Sequence, residues 1–232
     1  MASKFTYSFF RISKETGISE SAQKIRELRL KALQTSPGSF SSTYAIEAAF
    51  TDADWINLIN LPDREFFICA AKPVNQDPSS PDDPQWIGQV TVRGPGSAAA
   101  FDLPDEACQP PQQSDDVEER WQLLSLFNLP EHRGHGIGSK LCKKVIEYLQ
   151  SYRTYPSTVK IRLIIKRGND AALEFYKRLG FEQAGSATLV EALIANGDEH
   201  LIPKDGPPQI YTDRQGMIML LCLPRIRDVQ SN

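Results

Sequence analysis

The nine residues from Arg133 to Leu141, RGHGIGSKL, constrain this chain more than any other stretch. They follow the apolar run Trp121–Leu129 and lead into a helical pattern over Gly138–Tyr152, where Leu141, Val145, Tyr148 and Leu149 share one face. A strand, a glycine-rich turn and a helix start, in that order, make a site for phosphate. The first N–H groups of a helix have no intrahelical partner, and the aligned peptide dipoles favour negative charge there. Gly134, Gly136 and Gly138 put no side chain between those N–H groups and a bound anion.

Composition narrows the class. With 232 residues, 41% of them apolar and 24% charged, the chain can bury a sizeable core and reads as one globular domain over 1–232. A net charge of −3 gives no basic field for nucleic acid or a membrane surface. Cys69, Cys108, Cys142 and Cys222 are widely spaced and form no CxxC pair, so neither a disulfide scaffold nor a metal site is expected. The N-terminus lacks a continuous apolar segment of the kind a secretory signal needs, and no run reaches membrane-spanning length. The expected compartment is the cytoplasm, or cytoplasm and nucleus.

Periodicity supplies the elements. Ser8–Ser13 reads as a strand, and Ser21–Gln34 as a helix with Ile25, Leu28, Ala32 and Leu33 inward, stopped by Pro37-Gly38. Ala45–Leu61 reads as a second helical stretch, with Arg64–Lys72 and Gln85–Arg93 as strands. Val159–Lys166 alternates cleanly, Asp170–Gly180 is a helix with Phe175 and Tyr176 on its apolar face, and Met217–Leu223 is a last strand. Residues 73–84, 94–119 and 186–216 read as insertions in loops, the second of them partly disordered by its low hydrophobicity.

Two familiar phosphate loops fail on the residues. A Walker-type loop ends Gly-Lys-Ser/Thr, whereas here Ser139 precedes Lys140; a dinucleotide fingerprint needs a third glycine where Ser139 stands. The pattern R-x-x-G-x-G is met by Arg133-Gly134-His135-Gly136-Ile137-Gly138, and there the chain resembles the GCN5-related N-acetyltransferase (GNAT) superfamily. Leu129-Pro130-Glu131-His132-Arg133 looks like that family's strand end and loop entry. Lys166–Phe181, KRGNDAALEFYKRLGF, resembles its second signature, and Leu28–Tyr44 its first helix and following loop.

The resemblance implies an α/β fold with a mixed, largely antiparallel sheet of about seven strands flanked by helices. A splayed parallel strand pair would bind the cofactor, acetyl-CoA. It implies that N–H groups of Arg133, Gly134, His135, Gly136, Ile137, Gly138 and Ser139 hold the pyrophosphate. Phe127, Asn128 and Leu129 would pair with the pantetheine arm, and Asn169 and Ala172 would lie along it. Tyr176 would protonate the departing thiolate, and Phe40 and Tyr44 would line the acceptor pocket. The implied activity is direct acetyl transfer to an amine in a ternary complex. The alternative is a non-catalytic acyl-CoA-binding module of the same fold. The expected acceptor is an amine of a small molecule or of a protein or peptide, and the expected oligomeric state is monomer or homodimer.

The proton route is less clear from sequence. A lysine-type amine with pKa near ~10.4 is almost wholly protonated at pH 7, yet Trp121–Leu126 carries no carboxylate to deprotonate it. Ser125 could hold a water there, which makes it the second catalytic candidate. Glu118 and Glu119 read as surface loop charge, and the acceptor could instead be an amine less basic than lysine. His132 and His135 read as exposed loop residues, and Lys140, Lys143 and Lys144 as a solvated helix face near a possible phosphate.

Overall fold

Alternating and helical periods condense into fifteen main elements among the described residues. The structure, a computed structural model, describes residues 4–74 and 83–226. In chain order they are β1 (Phe5–Arg11), α1 (Ile18–Thr35), α2 (Tyr44–Ala48), α3 (Asp52–Asn60), β2 (Arg64–Pro73) and β3 (Gln85–Gly96). Then come α4 (Ala98–Phe101), β4 (Glu118–Asn128), α5 (Ile137–Ser151), β5 (Thr158–Lys166) and α6 (Asp170–Arg178). Last are β6 (Glu182–Ala187), α7 (Leu189–Asn196), α8 (Gln209–Thr212) and β7 (Gly216–Pro224). The strands form one mixed, largely antiparallel sheet in the order β1-β2-β3-β4-β5-β7-β6, with β4 and β5 parallel.

The chain divides into two compact units, Met1–Val92 with Ser125–Val145, and Arg93–Leu124 with Ile146–Asn232. In the first, β1 pairs antiparallel with β2 from Phe5/Pro73 to Arg11/Phe67. Helix α1 buries Ile25, Leu28, Ala32 and Leu33, its predicted stripe, together with Ala22, and a core forms from Ile12, Ala22, Ile25, Trp55, Ile59, Phe66 and Ile68. The expected helix over 45–61 is two helices. Thr43 caps α2 by accepting from Ile46 N–H, and Thr51 caps α3 in a reciprocal box with Asp54. Two strong N-caps eight residues apart favour a break over one continuous helix. The first strand begins three residues earlier than its sequence pattern suggested, at Phe5.

In the second unit, β4 pairs with β5 from Glu118/Thr158 to Gln122/Arg162, β5 pairs with β7 along its whole length, and β6 closes on β7 with an irregularity between Gln183 and Ser186. Two expectations need correction here. The stretch 94–119 has a definite course: β3 runs on to Gly96, α4 and a 3-10 turn (Asp105–Ala107) follow, and β4 already starts at Glu118. Buried arginines hold it in place. Arg162 donates to Gln122 Oε1 (2.8 Å), the Phe101 carbonyl (2.8 Å) and Gln109 Oε1 (2.9 Å), and lies 4.1 Å over the Phe101 ring. Arg120 bonds Asp115, Gln112 and the Gln113 carbonyl. These anchors are hydrogen bonds rather than apolar contacts, so hydrophobicity could not reveal them. The stretch 186–216 likewise contains α7, capped by a Thr188–Glu191 box, and α8. Of the expected loop 73–84, residues 75–82 lie outside the described residues.

The second correction concerns Glu118 and Glu119, which are buried rather than surface charge. Lys160 (2.8 Å) and Arg120 (3.1 Å) pair with Glu118. Arg225 (2.6 Å), Arg153 (3.0 Å) and the Trp121 indole N–H (2.6 Å) engage Glu119. Both carboxylates are committed to structure, which disqualifies them as proton acceptors for an incoming amine.

Candidate active site

The loop after β4 is shaped for an anion. Leu129 N–H donates to the Ile87 carbonyl (2.8 Å), tying the strand end to β3, and a 3-10 turn over Pro130–His132 redirects the chain. Gly134 and Gly136 then take positive φ (82° and 72°), and a Cβ built on either would meet nothing within 4 Å. Both are therefore glycine for conformation, and the space over them is open. The first backbone bond of α5 runs from Lys140 N–H to the Gly136 carbonyl (3.0 Å), leaving the N–H groups before it without helical partners. The first turn of α5 carries no acidic residue.

Packing fixes this helix start. Ile137, Leu141, Cys142 and Val145 are buried, and Gly88 on β3 lets α5 approach: a Cβ there would sit 3.3 Å from Ile137, Leu141 and the Phe127 carbonyl. Burial pushes the thiol of Cys142 up to about 12, as it does that of Cys69, so neither is a nucleophile at neutral pH. Arg133 is exposed, with Nε donating to the Asn128 carbonyl at 3.3 Å and its guanidinium 5.9 Å from the Phe127 ring. His135 is exposed as expected, its Nδ1 near the carbonyls of Arg133 (3.0 Å) and His132 (3.3 Å). His132 is not exposed. It is 3% accessible, lies edge-on to Phe5 (4.8 Å), and shares a 3.2 Å hydrogen bond with the Tyr7 hydroxyl. The turn over Pro130 swings its ring inward, and burial lowers its pKa.

Ser125 is the most unusual residue of β4. Its φ is 55°, a left-handed conformation inside a strand, rare for a non-glycine residue and associated with functional sites. Its carbonyl is 3.5 Å from Gln89 Nε2, and its Oγ accepts from Arg29 Nη1 at 3.2 Å. Arg29, on α1, is itself gripped by Glu47 of α2 through two parallel bonds, Nε to Oε2 (2.8 Å) and Nη2 to Oε1 (2.7 Å). Phe40 lies under this guanidinium, 4.6 Å from centroid to Cζ, and 6.2 Å from the Phe127 ring. The first unit thus brings together Ser125, Phe127, Phe40 and the glycine loop's strand end. Tyr44, the other expected acceptor-pocket residue, is 41% exposed on α2. Arg29 and Glu47 escaped the sequence reading because they lie 18 positions apart, in different helices, so no local pattern pairs them.

In the second unit, Asn169 caps α6 by accepting from Ala172 N–H at 3.1 Å. Tyr176 is 7% accessible, edge-to-face with Phe175 (5.0 Å) and Phe181 (5.5 Å). Among the described residues no cluster of His, Cys, Asp and Glu could hold a metal ion, and no helix is long and apolar enough to cross a membrane.

Comparison with known proteins gives the family and the fold. Residues 39–181 match the model of the Acetyltransferase (GNAT) family. A 62-residue stretch is 39% identical to an uncharacterised N-acetyltransferase of Methanocaldococcus jannaschii, covering 27% of this chain and 26% of that protein, so the match spans about a quarter of the relative. The fold is shared with a GNAT-family acetyltransferase of Streptococcus pneumoniae (13% identity, TM-score 0.56, 94% of this chain and 100% of that one). It is shared too with Arabidopsis thaliana NAA60, solved with acetyl-CoA (16% identity, TM-score 0.54, 94% and 99%) and with a bisubstrate analogue (15% identity, TM-score 0.54, 94% and 99%). The chain belongs to the GNAT family of acetyltransferases.

Proposed function

We propose that the protein transfers the acetyl group of acetyl-CoA directly to an amine acceptor. The observation that carries this reading is the open, positive-φ glycine pair before α5, continuous with the irregular strand end at Ser125–Leu129. The N–H groups from Gly134 to Ser139 hold the pyrophosphate, and Arg133 adds a charge at the loop's mouth. The cofactor supplies an activated thioester; the chain supplies orientation and hydrogen bonds. The backbone of Phe127–Leu129 orients the pantetheine amides, Asn169 and Ala172 lie along the same arm, and Tyr176 donates a proton to the leaving sulfur. The acceptor amine enters by Phe40 and Tyr44. Because Glu118 and Glu119 are held in ion pairs, the amine's proton leaves to water, which favours acceptors of pKa below that of lysine.

The test is release of CoA thiol from acetyl-CoA with a panel of amines of graded pKa, for wild type and Tyr176→Phe. Turnover on at least one amine, weakened strongly in Tyr176→Phe, is expected. Tight acetyl-CoA binding with no turnover on any amine would instead assign a binding module.

A further inference from the structure

We propose that the Ser125 hydroxyl is a hydrogen-bond donor to the carbonyl oxygen of the acetyl group, oriented for that role by Arg29 and Glu47. The inference rests on the acetyl-CoA reading above and assigns work to two residues, Arg29 and Glu47, that the sequence reading gave no role. A serine oxygen carries one proton and two lone pairs. Arg29 Nη1 donates into one lone pair at 3.2 Å, so the hydroxyl proton is directed away from the guanidinium. An oxygen already accepting from a cation is a poor base and a better donor, because the bond polarises the O–H outward. Arg29 cannot drift, since both carboxylate oxygens of Glu47 fix its fork and the Phe40 ring supports its face. The ion pair is nearly dry, with side chains 13% and 8% exposed, while Ser125 itself remains partly accessible.

The left-handed conformation completes the geometry. At φ 55° the residue breaks the strand's alternation, so its backbone and side chain need not serve the sheet. A hydroxyl held in this way by packed neighbours needs no reorganisation when charge develops on the acetyl oxygen. The amine nitrogen bonds to the carbonyl carbon, and the carbonyl electron pair moves onto oxygen, where Ser125 donates to it. Collapse restores the C=O bond, breaks the C–S bond and releases the thiolate, which takes its proton from Tyr176. The proton lost by the nitrogen passes to water. Ser125 keeps its own proton throughout, so it does not serve as a relay or hold a water as base, and Arg29 and Glu47 are positioning residues.

The experiment needs no acceptor. Acetyl-CoA isotopically labelled at its carbonyl carbon is bound to the full chain, and the carbonyl stretch is read by isotope-edited infrared difference spectroscopy. Wild type is compared with Ser125→Gly, which tolerates the left-handed φ and keeps the backbone N–H, and with Arg29→Met. Binding to wild type is expected to lower the stretching frequency. Ser125→Gly is expected to lose a clear part of that shift, and Arg29→Met a smaller part, while acetyl-CoA affinity stays within threefold. With an amine that wild type acetylates, kcat of Ser125→Gly should fall by about 10²-fold with little change in KM for acetyl-CoA. The same shift in wild type and Ser125→Gly would overturn the proposal and leave the acetyl-CoA reading standing; no binding of acetyl-CoA to wild type would overturn that reading instead.

Discussion

Removing Glu47 should cost more than removing an ordinary surface acid, and the structure sets the amount. Glu47→Ala deletes both bonds at 2.7 and 2.8 Å and leaves the Arg29 guanidinium with Ser125 and the Phe40 face as its remaining partners in this cluster. Breaking a fully buried ion pair by removing one partner costs about 3–5 kcal/mol, mostly the desolvation of the charge left behind. Here the side chains keep 13% and 8% exposure, so water recovers part of that and about 2–3 kcal/mol remains. For a chain of this size that corresponds to a fall in Tm of about 4–12 °C. The double variant Arg29→Met/Glu47→Ala removes both charges and should recover most of the loss relative to Glu47→Ala and Arg29→Met, giving a coupling of about 2 kcal/mol in the double-mutant cycle. Calorimetric scans of the four proteins at one scan rate supply every corner. A Glu47→Ala protein melting within 1 °C of wild type, or a double variant no better than the single, would refute the reasoning.

The pH dependence of stability should show His132. Burial lowers its folded pKa below the ordinary value of 6.5, so the unfolded chain binds the proton more readily. Its contribution is full above about pH 6.5 and is lost as pH falls through that value towards the folded pKa. Denaturant titrations at pH 7.5 and 5 should therefore show a steeper loss for wild type than for His132→Gln; equal losses would dismiss the buried ring. In the second unit, Arg162→Ala leaves Gln122, Gln109 and the Phe101 carbonyl without their shared donor. Limited proteolysis within 97–117 should accelerate by on the order of tenfold through easier local opening. Unchanged cleavage would mean that the insertion is held by other contacts.

Much of this fold was legible where a local rule and the tertiary environment agree. The alternation of Val159–Lys166, the Asn169 cap and the glycine signals around Arg133 name β5, α6 and the turn into α5 almost residue for residue. What the sequence hid is ionic and distant. Glu118 and Glu119 look like solvated charge because their partners Lys160, Arg153 and Arg225 lie 34 or more positions away. The insertion after β3 looks disordered because the few apolar residues it buries (Phe101, Leu103, Ala107) are scattered, and polar bonds to two arginines complete its anchoring. Ser125 hid for another reason: nothing in Leu124-Ser125-Leu126 announces a positive φ, since serine is not selected for that conformation.

The central claim is that the loop before α5 holds the pyrophosphate of acetyl-CoA, and calorimetric titration tests it most directly. Wild type and Gly136→Asp are titrated with acetyl-CoA and with S-acetylpantetheine, which lacks the pyrophosphate. At Gly136 an aspartate adds negative charge where the anion should lie and a side chain at φ 72°. Saturable binding of acetyl-CoA to wild type, lost in Gly136→Asp and much weaker for S-acetylpantetheine, is the predicted result. Equal affinity of wild type and Gly136→Asp for acetyl-CoA would contradict it.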